Sequence, residues 1–109
     1  MSGDYRLVLC TVPDRETGAR IAERLIERRL AACVTLIPGV TSFYEWKGTV
    51  ERAEEQQLVI KSTAAHYPAL ERAVVELHPY ELPEIIAVSL TEGLPGYLAW
   101  IDENTGTNE

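Results

Sequence analysis

Hydrophobic and polar positions divide the chain into seven segments. "YRLVLCTV", Tyr5 to Val12, is an unbroken, β-rich apolar run closed by Pro13, which suits a central strand buried on both faces. In "DRETGARIAERLIERRL" that follows, Ile21, Ala22, Leu25, Ile26 and Leu30 recur at helical spacing. Asp14 is placed to cap this helix, with Glu16 in its first turn and Arg28 and Arg29 in its last, as the helix dipole favours.

From Ala32 to Thr63 the sequence is strand-like almost throughout, and "WKGT", Trp46 to Thr49, is its tight turn. The resulting hairpin has arms of roughly 15 residues, about twice a usual strand. Pro38 and Gly39 predict a kink in the first arm, because proline sits in a sheet only at an edge or a bulge. Beyond the kink, Val40, Ser42, Tyr44 and Trp46 share one face, and Thr41, Phe43 and Glu45 the other. In the return arm "VERAEEQQ" is polar and "LVIKST" apolar, so only the second half reads as core.

A second helix starts near His66 or Pro68, buries Leu70, Ala73, Val74 and Leu77, and stops at Pro79. "EIIAVSLTE", Glu84 to Glu92, is the fourth strand. "GYLAWIDE" after Pro95 is a short closing helix that packs Leu98 and either Ile101 or Trp100. The order βαββαβ plus a terminal helix predicts an α+β, ferredoxin-like fold, with an extended hairpin between strands two and three and spatial strand order four, one, three, two. One domain over residues 1–103 and a frayed tail over 104–109 are expected.

The length fits that reading: 109 residues with 46% hydrophobic content make one core. The distal half of so long a hairpin projects beyond that core. A bare two-stranded ribbon carrying Phe43, Tyr44 and Trp46 is marginal in water, which predicts that identical copies cover it, most economically in a closed ring.

Charge narrows the partners. The net charge is −7, with Lys and Arg interleaved among Asp and Glu, so phosphate backbones and anionic membranes are repelled. No apolar run reaches the roughly 20 residues of a membrane span, and "MSGDYR" has no signal-peptide profile, so a cytoplasmic protein is expected.

"LAACVTLIPGVTSFYEWKG", "VIKS", "LHPYELPEIIAVSLTEG" and "YLAWI" together resemble the CutA divalent-cation-tolerance family, over nearly the whole chain. The resemblance implies a ferredoxin-like fold, a very stable homotrimer, kinship with PII-type nitrogen regulators, and association with copper or another divalent metal. In some relatives the residue before the equivalent of His78 is a second histidine, read as a ligand; here it is Leu77.

The expected topology brings Cys10, near the top of strand one, and His78, at the top of helix two, to one end of the sheet. Cys33 falls at the other end, which disfavours a bridge between the two cysteines. A thiolate and an imidazole suit zinc or copper, and Glu81, Glu84 or a neighbour's residue would have to complete the site. Against this stand plain alternatives: Cys10 as a small buried hydrophobe, and His78 as a helix-terminal residue meeting backbone carbonyls. His66 reads as a surface residue of the first turn of helix two.

A second grouping, Tyr44, Trp46, Lys61, Tyr80 and Glu84, would line a cleft between subunits and take a small ligand. Pro79 and Pro83 fix Tyr80 and Glu84 in direction. Alternatively, Tyr80 and Glu84 bond only the loop and its neighbours.

Two other classes fit less well. An acylphosphatase-like enzyme needs an anion cradle after strand one, where Asp14 and Glu16 flank Arg15 and oppose a phosphate. An RNA-binding module needs aromatics on the middle strands and a basic sheet face, and "RLVLCTV" and "LVIKST" supply neither. No enzymatic activity, no nucleic acid and no membrane are therefore expected.

Overall fold

The structure, a computed structural model, describes residues 4–106. Its elements are β1 (Tyr5–Val12), α1 (Arg15–Glu27), β2 (Cys33–Trp46), β3 (Thr49–Thr63), α2 (Tyr67–Leu77), β4 (Ile86–Leu90) and α3 (Pro95–Glu103). The strands form one sheet in the order β2-β3-β1-β4, antiparallel throughout, which is the expected α+β arrangement.

Residues paired directly across antiparallel strands share a face of the sheet, and alternate residues along a strand swap faces. Val8, Cys10, Val12, Leu58 and Ile60 therefore lie together, and they pack with Ile21, Leu25, Leu70 and Val74 of α1 and α2 to form the core. Each fully buried aliphatic side chain contributes about 1.5–3 kcal/mol. Gly18 permits the close approach of α1, since a Cβ there would meet Leu36 Cδ1 at 2.9 Å. Leu7, Leu9, Val59, Ile86 and Val88 occupy the opposite face. At the end of that face where β1 begins, Tyr5 is buried and donates to the Asp102 carboxylate, while α3 packs on β3.

Local chemistry sets the element ends. Asp14 caps α1 by accepting from the Thr17 N–H at 2.8 Å. At the other end Leu30 N–H bonds the Leu25 carbonyl and Arg29 N–H the Ile26 carbonyl, with Arg29 in the left-handed region at φ 56°. Arg28 and Arg29 thus lie beyond α1 and not in its last turn, where the basic residue is Arg24.

The hairpin arms are 14 and 15 residues long. The register slips between Ile37 and Val40, a bulge at Pro38-Gly39 where Gly39 has φ +72°. Lys47 and Gly48, both at positive φ, make the turn. The projecting ribbon gives the molecule its long dimension, 48 Å against 26 and 22 Å.

Two further expectations are corrected and one alternative is decided. β4 is shorter than Glu84 to Glu92, because its ladder with β1 runs only from Leu9↔Ile86 to Tyr5↔Leu90, and beyond Leu9 the Thr11 carbonyl is taken by His78. Of the α3 alternatives, Ile101 is buried and Trp100 stays partly exposed. Asn104–Gly106 are not frayed: Thr105 is buried and Gly106 N–H bonds the Arg29 carbonyl at 2.9 Å, while 107–109 fall outside the described residues. His66 is the residue before α2, with Nδ1 2.7 Å from Thr63 Oγ1.

Candidate functional site

The loop from His78 to Ile85 carries the chain from α2 across the end of β1 to β4. Pro79 ends the helix, and the His78 N–H makes the last helical bond, to the Val74 carbonyl at 2.8 Å. The imidazole then turns inward and is buried. Its Nδ1 accepts from the Tyr80 N–H at 3.1 Å, which leaves the ring proton on Nε2, and Nε2 donates to the Thr11 carbonyl at 2.8 Å.

Tyr80 stands against this ring, with centroids 4.7 Å apart, and its hydroxyl donates to Glu55 Oε2 at 2.6 Å. Glu55 is only 8% exposed. Burial, then the hydrogen bond to Glu55 and the charge of its carboxylate, push the Tyr80 phenol well above its ordinary pKa. Asp14, Arg15, Gly39, Glu54, Glu55 and Gln56 line a cavity of about 280 Å³ beside this pair. Gln56 Oε1 is, among the described residues, a buried side-chain atom with no hydrogen-bond partner.

Cys10 lies in the core with no exposed surface, and its thiol is pushed up to about 12, by burial first and by the carboxylates of Glu84 and Glu55 second. Cys33 is on the other face of the sheet, paired across to Lys61, and both thiols are free. The topology thus brings His78 to Thr11, the neighbour of Cys10, as expected. Both imidazole nitrogens are engaged by the backbone, and the Cys10 thiol is enclosed in the core. Among the described residues no three His, Cys, Asp or Glu side chains are grouped to hold an ion.

The second grouping comes together only in part. Tyr80 meets Glu55, and the Tyr44 phenol lies near enough to add to the rise of the Tyr80 pKa. Glu84 is exposed in the loop. Trp46 stays exposed near the hairpin turn, with the Lys47 ammonium 5.9 Å from its ring. Lys61 pairs with Leu7 and Cys33, six positions along β3 from Glu55 and so about 20 Å away. Within one chain, Lys61 and Tyr80 do not share a cleft. Glu55 is the residue that the sequence concealed: in "VERAEEQQ" nothing local distinguishes it from Glu54, and its hydrogen-bond partner is Tyr80, 25 residues away.

Residues 6–104 match the family described as CutA1 divalent ion tolerance protein. The chain belongs to the CutA family. It is similar to the divalent-cation tolerance protein CutA of Thermus thermophilus, 48% identical over 100 residues that cover 92% of this chain and 97% of the relative. The crystal structure of CutA from Xylella fastidiosa superposes with a TM-score of 0.93 at 45% identity, covering 94% of this chain and 99% of that one. A CutA from Archaeoglobus fulgidus, named a periplasmic divalent cation tolerance protein, matches at 36% identity and a TM-score of 0.89 over 92% of this chain and 97% of its own. CutA relatives therefore do not by themselves support the cytoplasmic expectation. Among the described residues no helix is long and apolar enough to cross a membrane.

Proposed function

We propose that this CutA chain acts in divalent-cation tolerance as a homotrimer, and that it takes a divalent metal such as copper, or a small ligand, between subunits instead of within one. The observation that carries this reading is the uncovered apolar surface. Val88 is 51% exposed on the open sheet face, and Phe43 and Trp46 are 67% and 56% exposed on the ribbon. An apolar face continuous with an unsupported ribbon is costly in water, and identical copies around a closed axis remove that cost. The same closure would bring the ribbon of one copy, with Tyr44 and Trp46, towards the Lys61, Tyr80 or Glu84 of another.

The engagement of both His78 nitrogens favours a second reading, PII-like small-ligand signalling with no physiological metal. One set of measurements separates the two. Sedimentation equilibrium should give three times the 12.2 kDa protomer mass. Calorimetric titration with copper or zinc, run on wild type and on Glu84→Gln and His78→Ala, should lose binding in the first variant and keep it in the second if the metal sits between subunits. Absence of metal binding in wild type, with a thermal shift from a small metabolite, selects the signalling reading. A solitary, well-folded protomer at micromolar concentration overturns the inter-subunit site.

A further inference from the structure

Three changes coincide where the hairpin leaves the body of the sheet. The ladder between β1 and β3 ends at Val12↔Gln56, and the chain bends away at Pro13 and Asp14 into α1. Opposite Gln56, between Ile37↔Gln57 and Val40↔Glu55, lies the bulge of β2. Glu55 is the next residue outward, and its carboxylate takes the Tyr80 hydroxyl at 2.6 Å. The ribbon thus loses its support from β1 at the position where one of its own strands is irregular, and Tyr80 stands where β1 no longer reaches.

A bulge bends and twists its strand. Gly39 leaves room for that bend to vary, with φ +72° and nothing within 4 Å of where a Cβ would stand. Beyond Glu55 the ribbon's polar side chains meet one another: Thr41 and Arg52 both reach Glu54, and the Arg52 guanidinium lies 6.0 Å from the centroid of the Phe43 ring. Such contacts hold the two strands together without fixing the direction of the pair.

The tie at Glu55 is itself anchored. The Tyr80 ring leans on the His78 ring, and the Tyr80 N–H donates to His78 Nδ1. His78 Nε2 donates to the Thr11 carbonyl near the end of β1, and the His78 N–H to the Val74 carbonyl in α2. Thr11, His78, Tyr80 and Glu55 therefore link the end of β1 to the root of the ribbon.

We infer that this link is a conformational control: through the Tyr80–Glu55 bond, the loop after α2 sets the direction in which the ribbon leaves the sheet. Without the bond the ribbon bends at the bulge, while β1, β4 and α1 keep their places. The device acts within one chain, whatever lies between copies.

Two nitroxide labels read that direction in the full chain. One is attached at the hairpin turn through Lys47→Cys and the other on the exposed side of α1 through Glu23→Cys, both in Cys33→Ser, since Cys10 is enclosed in the core. Labelled chain is refolded together with excess unlabelled chain, so that distances are measured within one copy. Wild type should give a single narrow distance distribution. In Tyr80→Phe and in Glu55→Ala it should widen about twofold. Glu55→Gln, which retains an acceptor oxygen for the phenol, should stay close to wild type. A pair within the body, Glu23→Cys with Ser89→Cys on β4, should not change in any variant. An unchanged distribution in Tyr80→Phe overturns the inference, because the strands alone or neighbouring copies then hold the ribbon. Equal widening of the body pair overturns it too, by making Tyr80 a support of the whole fold. So does a Glu55→Gln distribution as wide as that of Glu55→Ala, since the hydrogen bond would then not be the tie.

Discussion

The hydroxyl of Tyr80 donates to the carboxylate of Glu55 at 2.6 Å and so joins the loop after α2 to the polar half of β3. Glu55 is buried, and the phenol of Tyr80 compensates its carboxylate for lost water. Removing the hydroxyl leaves that carboxylate under-solvated. Tyr80→Phe should lower the unfolding free energy by about 1–2 kcal/mol in urea titrations, since Tyr80 itself is partly exposed. Glu55→Gln, which keeps an acceptor, should cost less. The double variant should lose less than the sum of the two, as partners in contact do; strict additivity would mean that the bond carries no stability.

Cys10 makes the fold sensitive to alkali. Its thiol goes from 9.0 in the unfolded chain to about 12 in the folded one. Above pH 9 the folded chain therefore keeps a proton that the unfolded chain has lost. Stability from this group is fully present below that pH and falls as pH rises towards 12, by up to about 1.4 kcal/mol per pH unit. The Tyr80 phenol, also raised, adds to the loss in the same direction. Urea midpoints measured from pH 8 to 11 should decline steeply in wild type and less steeply in Cys10→Ala, and identical slopes would remove Cys10 as the cause. Thiol reagents at pH 8 should label Cys33 and spare Cys10.

How much of this could be read from the sequence follows the range of each signal. β1, α1 and α2 declare themselves through local periodicity, and the bulge and turn of the hairpin through Pro38-Gly39 and Gly48, because each depends on neighbours a few residues away. The end of β4 was not legible, since it depends on His78 taking the Thr11 carbonyl across 67 residues of chain. The docking of Asn104–Gly106 was hidden for the same reason: a polar, glycine-containing tail reads as frayed until Arg29 is seen to hold it. At the candidate site, topology placed His78 beside the end of β1, but the use of its ring nitrogens depends on angstrom-scale geometry that no spacing encodes.

That geometry makes a prediction of its own for His78. Truncation strands a carbonyl on Thr11 and an N–H on Tyr80, so His78→Ala should destabilise the fold by about 2 kcal/mol or more. Thermal unfolding of wild type should be the same in chelator as in zinc as far as this residue is concerned. A zinc-dependent stabilisation that disappears in His78→Ala would show the ring to be a ligand and the hydrogen-bonded tautomer to be displaced.

The last prediction concerns the open face of the sheet. Val88 pairs with Leu7 on β1, on the face opposite α1 and α2, in the midst of Leu9, Val59 and Ile86. A lysine at this position costs the isolated protomer little, because the side chain is already 51% exposed and the head reaches water. In an assembly that buries the face, the same charge would be desolvated without a partner, at a cost of several kcal/mol per copy. Val88→Lys should therefore sediment as the protomer while keeping the wild-type far-ultraviolet circular dichroism. Lys47→Glu on the hairpin turn, a charge change far from the face, should assemble normally. Should Val88→Lys associate as wild type does, the sheet face is not the contact, and the exposed ribbon alone would have to account for any assembly.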